Sequence, residues 1–91
     1  MNPSPSDHQW LTLHRIDDGE VWYNSGQWWA KGTYRDAKVT GQVNRLWQLG
    51  YIKLPEKLVY LAKPAITAEG MEILKRRSVY DVLERVGRRD R

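Results

Sequence analysis

Hydrogen-bonding forks, rather than nucleophiles or metal ligands, are the chemically capable residues of this sequence. Thr40, Gly41, Asn44, Arg45 and Gln48 stand close together, with Lys38 just before them. At 3.6 residues per turn they fall on one side of a helix, while Val39, Val43, Leu46 and Leu49 fall on the other. An arginine can place two N–H groups on guanine O6 and N7, and an asparagine or glutamine can pair in the same forked way with adenine N6 and N7. Lys38 and Thr40, near the start of such a helix, suit a phosphate or a thymine methyl, and Gly41 removes bulk that would hold the helix away from its target. Residues 37–55 contain no Asp or Glu, although 11 acids occur elsewhere. An acid-free ridge of this kind is the composition with which a helix reads base edges in a major groove.

Other chemistries find little footing. His8 and His14 lie on the first helical segment, with no cysteine and no further histidine at a ligand spacing, and a zinc site needs three or four ligands. Asp17, Asp18 and Glu20 form an acidic knot that reads as the solvated end of that segment. No phosphate-cradling glycine loop, serine-nucleophile motif or dinucleotide fingerprint occurs. The expectation is a binding protein and not an enzyme, with no catalytic residues, no metal and no other cofactor.

The charge distribution agrees with a polyanionic partner. Residues 7–20 carry four acids against one arginine, a net of −3. Residues 31–63 carry seven Lys and Arg against two acids, a net of +5, and residues 75–91 carry seven against three, a net of +4. Each lysine or arginine laid on a phosphate releases condensed counterions. The absence of cysteine excludes a disulfide framework. No apolar run reaches the length of a membrane span, and Met1–Ser6 has neither the basic start nor the apolar stretch of a signal peptide. A cytoplasmic protein with no membrane contact is expected, nucleoid-associated when bound to DNA.

The elements that must position the ridge can be read in order. Residues 1–6, with prolines at 3 and 5, read as a disordered leader to a domain spanning 7–87. Ser6 stands three residues before Gln9, a capping-box spacing that opens a helix over about 7–18 with Trp10, Leu11, Leu13 and Ile16 on its apolar side. Aromatic and β-branched residues around Asn24-Ser25-Gly26 predict a β-hairpin over 20–30, with a short helix from Ser25 as the second reading. The ridge-bearing helix runs over about 37–49, with Asp36 as its N-cap. Tyr51–Leu54 and Leu58–Leu61 read as two strands about a Pro55-Glu56-Lys57 tip, and Thr67 caps one last helix from Ala68 to about Val86. Lys75-Arg76-Arg77 fall on its wet side, Gly87 closes it, and residues 88–91 read as a basic tail. Trp10 reads as core, and Trp47 is expected to pack against the second hairpin or the first helix. Trp28 and Trp29 are adjacent, so in a strand they face opposite ways and at least one meets a surface. Stacking on a base, an interface between two copies and a partly exposed core edge all fit, the interface being the first choice.

Residues 39–52 (VTGQVNRLWQLGYI), a stretch of hairpin length, and residues 66–74 (ITAEGMEIL) together resemble the winged-helix core of MarR-type transcription regulators. Val39, Val43, Leu46, Gly50 and Ile52 carry the first part of the likeness, and Ile66, Thr67, Gly70 and Leu74 the second. The resemblance implies an α+β winged helix of three helices and a two-stranded wing, to which the 20–30 hairpin is an addition. It makes the helix of about 37–49 a recognition helix, and puts Arg35, Lys53 and Lys57 of the loop and wing on the DNA backbone. Glu56 at the expected wing tip is unfavourable to deep entry into a minor groove. MarR-type chains are longer, with helices at both ends that build a dimer; here Val79, Val82, Leu83 and Val86 of the last helix, with Trp28 and Trp29, are the candidates for such a contact. The expected function is a sequence-specific double-stranded DNA-binding transcriptional regulator, a homodimer on half-sites a helical turn apart. A winged-helix adaptor for an acidic protein and an excisionase-like architectural protein that bends DNA are the alternatives. The spacing names no operator and no small-molecule effector.

Overall fold

Four residues write the start of the first helix. Ser6 Oγ accepts the Gln9 N–H at 3.2 Å and Gln9 Oε1 accepts the Ser6 N–H at 3.0 Å, a closed capping box. In the computed structural model, which describes residues 4–32 and 34–89, helix α1 follows as Asp7–Asp17. The leader is shorter than expected: Ser6 is a cap and Pro5 is buried, while Met1, Asn2 and Pro3 lie outside the described residues.

A meander comes next, with β1 at Val21–Asn24, β2 at Gln27–Ala30 and β3 at Ala37–Lys38. Val21 faces Ala30 and Asn24 faces Gln27 across the first antiparallel pair. The turn between them has Ser25 at φ 52° and Gly26 at φ 83°, so both central residues are left-handed, and their twist matches that of the flanking strands. Of the two readings of this segment, the hairpin is the one the chain adopts. The third strand is a correction. Trp29 pairs with Lys38 and Ala30 with Ala37, and the Val39 N–H continues the ladder to Trp28 O at 2.8 Å. Residues 37–38 are therefore extended, and helix α2 covers only Thr40–Gln48, with Val39 rather than Asp36 at the N-cap.

The second hairpin also differs from its expected form. Strand β4 is Ile52–Lys53 and its antiparallel partner β5 is Ala65–Ile66, not Leu58–Leu61. The last helical stretch is two helices, α3 at Ala68–Lys75 and α4 at Val79–Arg89, so the α+β chain has four helices among its described residues and not three. Ser78 Oγ accepts the Tyr80 N–H at 3.2 Å and restarts the helix. Gly87 does not end α4, whose backbone runs on to Arg89; Asp90 and Arg91 of the expected tail lie outside the described residues.

The corner between α3 and α4 exists because both must bury a residue beside α1. Trp10, Leu13 and Ile16 of α1 share one core with Val21, Trp28 and Ala30 of the hairpin, Val43 and Leu46 of α2, Ile73 of α3 and Val82 of α4. The Trp10 indole N–H donates to the Ile73 carbonyl at 3.3 Å, so the largest core side chain buries no idle donor. Arg77 is exposed, as expected, yet its guanidinium and that of the exposed Arg85 each donate to Oδ1 of the buried Asp7 at 3.1 Å. Among the described residues no helix is long and apolar enough to cross a membrane.

The two halves of the chain meet closely at Thr67. Its Oγ1 accepts the Gly70 N–H at 3.1 Å and donates to Gly50 O at 2.8 Å, while its N–H donates to Tyr51 O at 3.0 Å. This draws α3 so near the turn after α2 that a Cβ on Gly70 would overlap the Tyr51 carbonyl oxygen and stand 2.7 Å from Ile66 Cγ1. Because a backbone carbonyl cannot swing aside as a side chain can, Gly70→Ala should destabilise the fold by about 1–3 kcal/mol. A lowered urea midpoint checks this; an unchanged midpoint would mean that α3 and the turn are less tightly joined.

Candidate nucleic-acid interface

Helix α2 is split cleanly between a buried side and a wet one. Val43 and Leu46 are fully buried, with Val39 and Leu49 closing the two ends. Gly41, Asn44, Arg45 and Gln48 stand at i, i+3, i+4 and i+7, share one face, and are all exposed. Arg45 Nη1 lies 3.5 Å from Gln48 Oε1, a distance at the outer limit for a hydrogen bond, so the two side chains engage each other only weakly. Nothing lies within 4 Å of where a Cβ on Gly41 would stand, so neither its φ nor its neighbours in the fold require a glycine there.

Thr40 does not belong to this face. Its hydroxyl accepts the Trp28 N–H at 2.9 Å and donates to Gln27 Oε1 at 2.6 Å, which fastens the start of α2 to β2. Lys38 is exposed, but on β3 and not on the helix, and Lys53 is exposed on β4 just beyond the helix. These two lysines therefore flank α2 along the chain, and Arg35 and Lys57 are exposed on the adjoining loops. Among the described residues the ion pairs join Lys75 to Glu72 and both Arg77 and Arg85 to Asp7, and His14 Nδ1 lies 3.3 Å from Asp18 Oδ2; Arg35, Lys38, Arg45, Lys53 and Lys57 enter no such pair.

A cleft of about 180 Å³ opens between α1 and the segment that leads into α2. His8, Arg15, Lys38 and Gln42 line it around Leu11, Thr12 and Val39, with no acid among them. Sequence reasoning missed Arg15 and His8 here, because the spacing along α1 does not tell which of its sides meets β3. Among the described residues no group of three or more His, Asp or Glu is placed to hold a metal ion.

α1 has its capping box and Asp7 in the first turn, and α3 has the Thr67 cap and Glu69. α2 has no side-chain cap and no acid in its first turn, and carries a glycine there. A cap is worth about 1 kcal/mol and a first-turn acid about 0.3–1 kcal/mol, so α2 does without the usual local support and is held by packing.

The aromatic and dimer candidates redistribute. Trp28 is core, with the Tyr23 ring edge-on at 5.1 Å, and Trp29 is half-buried with its indole N–H donating to Asn24 O at 3.3 Å. Val82 is fully buried and Val79 and Val86 pack against the core, because α4 turns its valine stripe onto α1. Leu83 is left exposed, one turn after the exposed Tyr80. Trp47, expected to be packed, is 52% exposed on the flank of α2. Leu58, Val59, Tyr60 and Leu61 were missed as surface residues. The available signal was their lack of alternation, since a strand with one wet side carries a polar residue at every second position.

No protein-family model, no curated protein and no solved structure matches this chain.

If the outer face of α2 has no duty in the fold, its residues should separate from Thr40 in a stability measurement. Thr40→Ala should cost about 1–2 kcal/mol, because the Trp28 N–H loses its acceptor. Arg45→Ala and Gln48→Ala should stay within about 0.5 kcal/mol of the parent. Urea denaturation of the three variants decides; equal losses would assign the face a structural role.

Proposed function

We propose that this chain is a winged-helix protein that binds double-stranded DNA in a sequence-specific way and acts in transcriptional regulation. One observation carries the reading: the wet face of α2 presents Gly41, Asn44, Arg45 and Gln48 with no acid, no side-chain cap at its start and, among the described residues, no ion pair. A solvated helix under selection for stability alone would place acids in its first turn and opposite charges four residues apart. In this reading α2 lies in the major groove, which is about 12 Å wide, with Arg45 on a guanine and Asn44 or Gln48 on an adenine. Gly41 lets the helix axis approach the base edges. The β4–β5 hairpin that follows α2 is the wing, and Lys38, Lys53, Lys57 and Arg35 lie on phosphates, where they fix position without reading sequence.

The basic cleft between α1 and β3 supports the same reading, since Arg15 and Lys38 extend the positive surface past the start of α2. A single module of this kind covers little DNA, so two copies on half-sites a helical turn apart are the natural arrangement. Leu83 and Tyr80, exposed on α4, are the side chains left for contact between the copies.

Binding to a DNA site isolated from a random library should weaken steeply with salt, with a logarithmic slope near −0.9 for each phosphate engaged, or about −4 for four or five contacts. Arg45→Ala and Asn44→Ala should each lower the preference for that site over unrelated DNA by about 1–3 kcal/mol while leaving the slope nearly intact. Affinity that ignores salt, or variants that discriminate like the parent, would sink the assignment and favour an adaptor for a protein partner.

Gly41 gives an opposed pair of signs. Gly41→Ala should raise stability by up to about 1 kcal/mol, as a helical glycine is replaced in open space. The same substitution should weaken specific DNA binding, as the added methyl holds α2 off the bases. A thermal melt and a binding titration on one sample test both halves.

A further inference from the structure

The register of the β4–β5 ladder moves the apex of that hairpin. Ile52 faces Ile66 and Lys53 faces Ala65, so residues 54–64 form the loop and Val59 stands at its centre. Leu58, Val59, Tyr60 and Leu61 around this centre are 51, 57, 70 and 52% exposed. Four consecutive apolar side chains in water mark a surface that something covers. The backbone holds them there under strain. Leu61 has φ 66°, a left-handed conformation costly for a leucine. It is pinned by its N–H to Tyr23 O at 2.9 Å, beside the Tyr23 N–H to Ala62 O at 2.9 Å.

The surrounding charge selects among occupants. Lys53 and Lys57 are exposed beside the run and enter no ion pair among the described residues. Two copies meeting through this loop about a two-fold axis would bring those lysines toward their own images, whereas an anionic partner is attracted by them. Position narrows the choice further. Thr40 of α2 grips Gln27 and Trp28, Leu61 and Ala62 grip Tyr23, and Tyr23 pairs with Trp28 across the ladder. The start of α2 and the apolar run thus flank the β1–β2 hairpin at the same level, α2 along the β2 edge and the run along the β1 edge. Three strand spacings, about 14 Å, separate them, comparable to the step from one groove of a duplex to the next.

We propose, resting on the DNA-binding reading above, that Leu58, Val59 and Tyr60 form an apolar wedge that enters the minor groove next to the α2 contact and bends the duplex. Apolar side chains inserted between base steps part their stacking and kink DNA by about 20–90°. Lys53 and Lys57 hold the phosphates on the groove's lips, and Glu56 stands off the apex, three residues before Val59. Such a wedge favours flexible pyrimidine–purine steps and so adds sequence preference through deformability rather than base contacts.

Duplexes carrying the selected site and labelled at both ends report the bend by energy transfer. The parent should shorten the end-to-end distance by an amount matching a bend of about 20–90°. The triple variant Leu58→Ser, Val59→Ser, Tyr60→Ser leaves Leu61 and its pin in place and alters exposed side chains, so its melting curve should match the parent's. It should still bind with the parent's salt slope but lose most of the bend, and Tyr60→Ser alone should lose part of it. Straight DNA with the parent, or an equal bend with the triple variant, overturns the wedge while leaving DNA binding in place. Sedimentation showing that the parent self-associates without DNA and the triple variant does not would reassign the run to contact between copies. A parent with no affinity for any duplex removes both readings at once, and is told apart because the binding step itself is missing.

Discussion

The burial of one side of α1 is the constraint on which the rest of this chain depends. A 91-residue chain can enclose only a small core, so a single helix has to serve as its common wall. Trp10, Leu13 and Ile16 supply that wall, and the other three helices and strand β5 lean on it. Full burial of a tryptophan is worth about 4–6 kcal/mol at 25 cal/mol per Å² over 150–250 Å². The Trp10 indole keeps that gain because its N–H finds the Ile73 carbonyl. The corner between α3 and α4 follows from the same demand: one straight helix could not bring Ile73 and Val82 to the same wall and also turn Arg77 and Arg85 onto Asp7.

With its inner side committed to that core, α2 is left with an outer side that owes nothing to it. The β1–β2 hairpin seats the helix from below, through Val39 on Trp28 and Thr40 on both Gln27 and Trp28. That seating explains why α2 can lack a side-chain cap and a first-turn acid and still hold its place. Position comes from tertiary contacts and the exposed face is released for another use. Packing is thus confined to one side of this nine-residue helix, and the other side is left to solvent.

What the sequence disclosed and what it withheld divide along local and non-local lines. α1 was legible because its cap, Ser6 to Gln9, and its apolar stripe lie within a few residues. The first hairpin was legible because Asn24-Ser25-Gly26 demands a turn whatever surrounds it. β3 was not, since a two-residue strand exists only where β2 offers it a partner. Leu58–Leu61 have the composition of a strand, yet β4 pairs instead with Ala65–Ile66, a choice made by the packing of Thr67 and Gly70 on Tyr51. Ser78, with Asp81 three residues on, is a helix-start signal that was present but outweighed by the helical period running through it. Of the polar ridge on α2, Gly41, Asn44, Arg45 and Gln48 were read correctly as a wet face. Thr40 was not, because its hydroxyl is claimed by residues 12 and 13 positions away.

The clasp of Asp7 by Arg77 and Arg85 spans 70 and 78 residues of chain. A polypeptide growing from its N-terminus makes α1 well before the two arginines. Until α4 has emerged, the Trp10 face has neither its ionic latch nor the Val82 side chain to shield it. Such far-separated pairings slow folding and leave early apolar surface open to aggregation or chaperones. The nascent chain is therefore most vulnerable during synthesis, and truncation within α4 should leave an unlatched product that is cleared by proteases rather than a smaller working protein.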